Sequence, residues 1–245
     1  MTADPILTVD DLSVRIAGLH ILQGVSFTVA PTGVTALLGR NGVGKTTTLR
    51  AILGLTPRNG EATGTVRIGA DDALRQRTHR LVRGGLGYVP EDRNVFAGLT
   101  VAENLRLAER PGTTPAYERV YQLFPELARR GKQRAGTLSG GQQQMLAIGR
   151  VLLADNRLLL VDEPTKGLAP KVVTEVAEAL ASVAEQVPVL LVEQNLAVVR
   201  RLARDAVVLA AGRVAWTGDA ARLLGEPELT KQLLGVGTGT AGVHA

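Results

Sequence analysis

Two hydrophobic rhythms alternate along this chain. Short apolar runs at Val34–Leu38, Gly87–Val89, Leu158–Asp162, Val189–Glu193 and Ala206–Ala210 have the composition of strands, and those at 158–161 and 189–192 are unbroken, as in strands covered on both faces. Between them, apolar positions recur at helical spacing over Lys45–Leu53, Val101–Glu109, Gln142–Leu153, Lys171–Glu185 and Leu196–Ala203. This alternation predicts an α/β fold built on a mostly parallel sheet. Three short segments, Ile6–Val9, Val25–Val29 and Thr65–Ile68, alternate apolar with polar residues and predict an N-terminal antiparallel β layer. Residues of about 92–152 are mostly helical, lie between strand-rich regions and are broken at prolines. They predict a helical subdomain inserted into the sheet domain. No repeat or linker divides residues 1–235, and the glycine-rich stretch 236–245 reads as a disordered tail.

Composition narrows the classes of function. With 245 residues, 45% of them hydrophobic and 21% charged, the chain can bury a substantial core. Its apolar stretches, such as Val187–Val192, fall far short of the roughly 18 residues a membrane helix needs. The segment Met1–Pro5 carries an acid and no apolar h-region, so no secretory leader is expected. A cysteine count of zero removes disulfide, thiolate and zinc–sulfur chemistry, and three scattered histidines (His20, His79, His244) give no expectation of an imidazole metal cluster. The formal charge of +5 is mild and aromatics are only 3%, so no nucleic-acid partner is expected. The densest basic run, Arg129–Arg134, reads as a solvated loop, with an anionic partner or membrane face as the alternative.

Chemistry concentrates in three motifs. The strand Val34–Leu38 runs into Gly39-Arg40-Asn41-Gly42-Val43-Gly44-Lys45-Thr46-Thr47 and then a helix, the G-x-x-x-x-G-K-[ST] phosphate loop in its required context. Glycines there let backbone N–H groups turn toward phosphate oxygens, and the helix N-terminus adds its positive end. Lys45 is expected to reach the β- and γ-phosphates, and the Thr46 hydroxyl to hold Mg²⁺. A second apolar strand, Leu158–Asp162, ends in Asp162 and Glu163, one able to serve the Mg²⁺ shell and the other to polarise an attacking water. Alternation along the strand points them to opposite sides. The third motif, Leu138-Ser139-Gly140-Gly141-Gln142, places an N-cap serine and two glycines at another helix start. Two phosphate-binding helix N-termini in one small domain imply that each completes a nucleotide site on another chain.

In these residues, and over about Ile6 to Leu234, the sequence resembles the ATP-binding cassette (ABC) ATPases, with 23 residues from Ser139 to Asp162. The resemblance implies a P-loop NTPase (RecA-like) core, ATP and Mg²⁺ as ligands, and a head-to-tail pair of cassettes. Ser139, Gly140 and Gly141, with Gln142 beside them, would then contact the nucleotide of the partner cassette. Glu163 would be the general base and Asp162 a water-mediated Mg²⁺ contact. Within the family, Gly87–Phe96, Leu99–Leu105, Gln133–Gly141, Gln143–Arg150, Glu163–Pro170 and Leu191–Asn195 are similar to the ATP-binding subunit of bacterial branched-chain amino acid importers.

Four positions depart from the general family pattern. Glu91 stands where most members have a Mg²⁺-reaching glutamine; a carboxylate still ligates Mg²⁺ but adds negative charge beside the γ-phosphate. Gln194 takes the place of the switch histidine and can hydrogen-bond phosphate without becoming cationic. Ala169 replaces an aspartate that communicates across the dimer, and Ile16 replaces the aromatic that stacks on adenine. The first three match the amino acid importer branch.

The resemblance implies an importer ATPase on the cytoplasmic face of the membrane, working with a second ATPase subunit, identical or different, two transmembrane permease subunits and an extracytoplasmic solute-binding protein. Rival readings are uptake of urea or amides and export of envelope lipids. The helical-subdomain surface near Phe96–Leu105 is the candidate docking surface for a short membrane-subunit helix; its apolar residues Val95, Phe96, Leu99 and Val101 fit ordinary core equally well. Ribosomal cassette proteins carry two cassettes per chain. DNA-repair types insert long coiled coils, for which the 94 positions from Lys45 to Ser139 leave no room.

Overall fold

Two sheets organise the computed structural model, which describes residues 4–235; the expected tail lies outside the described residues. In chain order the strands are β1 (Leu7–Ile16), β2 (Leu19–Val29), β3 (Val34–Leu38), β4 (Gly60–Ile68), β5 (Asp71–Asp72), β6 (Leu86–Val89), β7 (Leu158–Asp162), β8 (Val189–Val192), β9 (Ala203–Ala210) and β10 (Arg213–Asp219). The helices are α1 (Lys45–Ile52), α2 (Thr78–Arg83), α3 (Val101–Arg106), α4 (Tyr117–Leu123), α5 (Pro125–Arg129), α6 (Gly140–Leu152), α7 (Pro170–Ala184), α8 (Leu196–Leu202), α9 (Ala220–Gly225) and α10 (Pro227–Leu234). One sheet, in the order β2-β1-β4-β5, is antiparallel throughout; the other has the order β10-β9-β3-β8-β7-β6. In the second sheet β9, β3, β8, β7 and β6 run parallel, and only β10 pairs antiparallel, at the edge.

Period-two alternation divides the side chains of the parallel strands between cores on opposite faces. Leu37, Leu158, Leu160, Leu190 and Val192 point into a core shared with the antiparallel layer and α1. Their neighbours Val34, Leu159, Val161, Val189 and Leu191 point into a second core with α3–α6 and α7. A third, smaller core joins β3 and β9 to α8, α9 and α10 through Ala36, Leu38, Val208, Val199 and Leu223. The helices α3–α6 leave the sheet after β6 and return at its neighbour β7. Val120, Phe124 and Leu127 from those helices share one core with α7.

The strands buried on both faces fall where the apolar runs predict them, within a residue or two. The antiparallel strands are longer than predicted. Most of their outward residues are polar, Leu19 being an exposed exception, and β1 carries register shifts between Val9 and Leu12, with Asp11 at a φ of 49°. The edge strand β10 and the helices α2, α4, α5, α9 and α10 were not predicted: β10 is half-exposed, and each of these helices has eight residues or fewer, too short for a helical period to repeat clearly. Among the described residues no helix is long and apolar enough to cross a membrane.

Candidate active site

The loop between β3 and α1 is shaped by glycine. Gly39 has a φ of 141° and Gly44 a φ of 107°, and a Cβ on either would meet a neighbour, Leu209 O or Leu22 Cδ2, at 2.4 Å. The chain thus turns tightly and enters α1 at Gly44, where no side chain caps the helix and no acid occupies the first turn. That leaves the positive end of α1 open to an anion. Arg40, Asn41 and Gly42 are exposed and Val43 is half-buried, whereas Lys45 is buried at 5% exposure. Its Nζ donates to the carbonyls of Gly39 (2.9 Å) and Arg40 (3.1 Å), which aims the ammonium back across the loop. Burial pushes the Lys45 pKa below its ordinary value, opposed by the charges of Glu163 and Asp162. Thr46 and Thr47 follow in the first turn, and Thr46 Oγ1 donates to Asp162 Oδ1 at 3.4 Å.

Asp162 ends β7 wholly buried, and burial lifts its pKa to about 6. The Thr46 hydrogen bond opposes that rise, while the charges of Glu163 and Glu91 add to it. Its second oxygen, Oδ2, is buried without a hydrogen-bond partner. A buried carboxylate with one free oxygen beside a threonine hydroxyl fits a small hard cation. Among the described residues no three carboxylates or imidazoles converge, which also suits Mg²⁺, an ion that takes most of its ligands from water and phosphate.

Glu163 diverges from Asp162 because the chain turns there. Its φ is 43°, in the left-handed region that costs a side-chain-bearing residue strain, while its N–H donates to Val192 O at 2.9 Å. Both carboxylate oxygens are engaged. Gln194 Nε2 donates to Oε1, and Lys166 Nζ lies 3.3 Å from Oε2. The same ammonium donates to Glu91 Oε1, joining residues 75 positions apart. Gln194 itself is held from below. Glu193, 3% exposed, accepts from the N–H groups of Gln194 (2.6 Å) and Asn195 (2.8 Å) and from the Thr165 hydroxyl.

The second glycine-rich helix start lies on α6. Ser139 Oγ accepts from Gln142 N at 3.3 Å and Gln142 Oε1 from Ser139 N at 3.1 Å, so Ser139 and Gln142 form a capping box. The Gly140 Cα faces the Arg93 guanidinium: a Cβ there would meet Nη1 at 2.9 Å. Gly141 has no such room, since its Cβ would lie 2.6 Å from Val172 Cγ1 on α7.

Ile16 ends β1 paired with Leu19, half-buried and packed, like Val43, against the core under the antiparallel layer. Of the expected docking residues, Val101 is fully buried core and Val95 half-buried against the same core, whereas Phe96 is 48% exposed. The Phe96 ring lies under the Arg150 guanidinium, 4.9 Å from its centroid. Ala169 serves as the extended N-cap of α7, without a side-chain cap.

The family model described as ABC transporter matches residues 22–166, more than half the chain. The chain belongs to the ABC transporter ATP-binding family. It is 38% identical to the high-affinity branched-chain amino acid transport ATP-binding protein BraG of Pseudomonas aeruginosa, over 94% of this chain and 99% of that protein. To the probable branched-chain amino acid transport ATP-binding protein LivF of Archaeoglobus fulgidus it is 34% identical, over 89% and 94%. A solved ATP-binding subunit of an ABC transporter superposes with a TM-score of 0.77 at 28% identity, covering 95% of each chain. This cassette is therefore a nucleotide-binding ATPase subunit with the fold the sequence predicts.

The sequence reading of this ABC cassette missed Lys166, Glu193, Thr165 and Arg93. Lys166 and Arg93 carry no periodic signal, because each reaches a partner distant in the chain. Glu193 was legible only as a strand-end acid.

Proposed function

We propose that this cassette hydrolyses ATP to drive an importer of branched-chain amino acids or a similar small polar solute. The observation that carries the reading is the convergence of Lys45, Thr46, Asp162, Glu163 and Gln194 at the ends of β3, β7 and β8, in a chain similar to BraG and LivF over nearly its full length.

The geometry, read with the family resemblance, supports the following roles. The N–H groups of Gly39–Thr47 and the positive end of α1 cradle the phosphates, and Lys45 Nζ exchanges its two carbonyl partners for phosphate oxygens. Thr46 and Glu91, with Asp162 through a water, would hold Mg²⁺, which would neutralise phosphate charge when bound. Glu163 Oε1 or Oε2 accepts the proton of the attacking water, and Gln194, its orientation fixed by Glu193, keeps that carboxylate in place. Ser139, Gly140 and Gly141 complete the site of a second cassette, identical or different, and Ile16 covers the adenine. Two transmembrane permeases dock near Phe96 from the membrane side, on the cytoplasmic face, and an extracytoplasmic solute-binding protein delivers the solute.

The test is reconstitution in proteoliposomes with permease and solute-binding chains encoded beside this one. The reading expects ATPase activity to rise when leucine, isoleucine or valine loads the receptor. Stimulation by none of these and by no other small polar solute overturns the importer assignment.

A further inference from the structure

Lys166 stands between two carboxylates that the proposed mechanism uses. Its Nζ donates to Glu91 Oε1 and lies 3.3 Å from Glu163 Oε2. The three side chains differ in access to water: Lys166 is 59% exposed, Glu91 35% and Glu163 9%. Asp162, wholly buried, adds a third acid within electrostatic reach of both Glu91 and Glu163. On the proposed reading all three acids lie near the triphosphate, itself strongly anionic, although they do not converge on one point. Lys45 answers part of that charge from the loop side. Among the described residues, the cation in contact with Glu91 is Lys166.

Like charges in a partly desolvated site repel; at an effective dielectric constant of about 20 one uncompensated charge at several ångströms exceeds an order of magnitude in affinity, and solvent screening of the partly exposed Glu91 reduces this to about tenfold. A carboxylate at position 91 therefore carries a penalty that an uncharged side chain would not. We infer that Lys166 is a positioning residue for the ATPase reaction, the counter-ion that allows Glu91 to stand beside the nucleotide while its same ammonium holds Oε2 of Glu163. This rests on the proposed hydrolysis site and extends it. Lys166 acts through its two carboxylates and need not touch ATP.

The consequence is a dependence between positions 91 and 166. Without the ammonium, Glu91 becomes an unpaired anion facing the γ-phosphate; with glutamine at 91, that anion is gone and Lys166 has less to offset. Arginine at 166 keeps the charge. A purely structural lysine would behave differently, because its loss would harm every background equally.

The experiment compares KM for Mg·ATP and kcat in wild type, Lys166→Met, Lys166→Arg, Glu91→Gln and the Lys166→Met/Glu91→Gln pair, with circular dichroism and melting curves for each. The expected result is a KM raised about tenfold in Lys166→Met. That rise should shrink as KCl is raised and be largely recovered by Lys166→Arg and by adding Glu91→Gln to Lys166→Met. A Lys166→Met enzyme with wild-type KM overturns the inference. So does a double variant whose losses simply add, or a KM change indifferent to salt. If Lys166→Met does not fold, Lys166→Arg alone decides, since a counter-ion role requires it to keep a KM within about threefold of wild type, and a larger rise overturns the inference. Absence of ATP hydrolysis in the wild-type chain itself would instead defeat the hydrolysis reading, so the two failures are separable.

Discussion

Gln194 Nε2 donates to Glu163 Oε1 across the gap between the ends of β8 and β7. The residue that the family resemblance sets at the switch-histidine position is thereby tied to the carboxylate proposed as the base. The neutral amide can hold that carboxylate at any physiological pH, without the titration an imidazole would bring. The tie is fixed from beneath by Glu193, whose carboxylate accepts two consecutive N–H groups at the start of the loop. The side chains of Gln194, Glu163 and Lys166 thus form one polar array, anchored by Glu193 through the Gln194 backbone N–H.

Asp162 provides the sharpest stability prediction. Its carboxyl titrates at about 6 in the fold, above the ordinary 3.8, because burial disfavours the charged form. A carboxyl raised in this way favours the fold below the unfolded pKa, and that advantage is lost as pH climbs from about 4 to about 6. Asp162→Asn removes the charge while leaving an oxygen for the Thr46 hydroxyl. In buffer with EDTA at pH 8, the variant should be more stable than wild type by up to about 3 kcal/mol, and the gain should vanish by about pH 4. The same variant should lose most of the Mg²⁺ dependence of nucleotide binding. Denaturant melts across pH and nucleotide titrations with and without Mg²⁺ check both; an Asn variant less stable than wild type at pH 8 contradicts this reading of the site.

Gly140→Asp should keep nucleotide affinity in the isolated chain and abolish turnover. The new Cβ meets the mobile end of the Arg93 side chain, which can shift and pair with the carboxylate, so the fold should tolerate it. Across a cassette dimer, however, the carboxylate would face a γ-phosphate. Fluorescent-nucleotide binding and ATPase rates, measured on the same preparation, should separate. Affinity falling in step with turnover would place the glycine's role within its own chain.

Most of the scaffold was legible because the strands that carry the site are buried on both faces. Leu158–Val161 and Val189–Val192 are apolar throughout, so their period could not be confused with a half-exposed helix, and Asp162 stands out at the end of one as the first charge. The phosphate loop was legible for a different reason: its glycines answer backbone demands that no other residue meets. What stayed hidden was pairing over distance. Lys166 reads as one more exposed lysine until the fold sets it against Glu91. Strand β10 stayed hidden because it is an edge whose Val214 and Trp216 are only half-buried. The capping box of Ser139 and Gln142 shows one sequence serving local structure and, in the proposed dimer, chemistry.

Ile16 bears on base selectivity. It is half-buried where the resemblance places an adenine-stacking aromatic, and an aliphatic side chain covers a ring without the roughly 0.5–1.5 kcal/mol that aromatic stacking adds. ATP and GTP should therefore bind within about tenfold of each other, and Ile16→Tyr should tighten ATP several-fold while leaving kcat at saturation nearly unchanged. Titration with fluorescent ATP and GTP analogues decides. An unchanged affinity in a folded Ile16→Tyr variant removes Ile16 from the base site and leaves it a residue of the antiparallel layer.

The central claim is that this chain hydrolyses ATP with Glu163 as the base, and single-turnover hydrolysis by Glu163→Gln tests it most directly. Glutamine keeps an oxygen for Gln194 and leaves Lys45 and the phosphate loop untouched, so ATP should bind within about twofold of wild type. Hydrolysis should fall by roughly 10²–10⁴, the usual contribution of a general base, and gel filtration should show an ATP-dependent dimer. A Glu163→Gln chain that cleaves bound ATP at the wild-type rate would contradict the account.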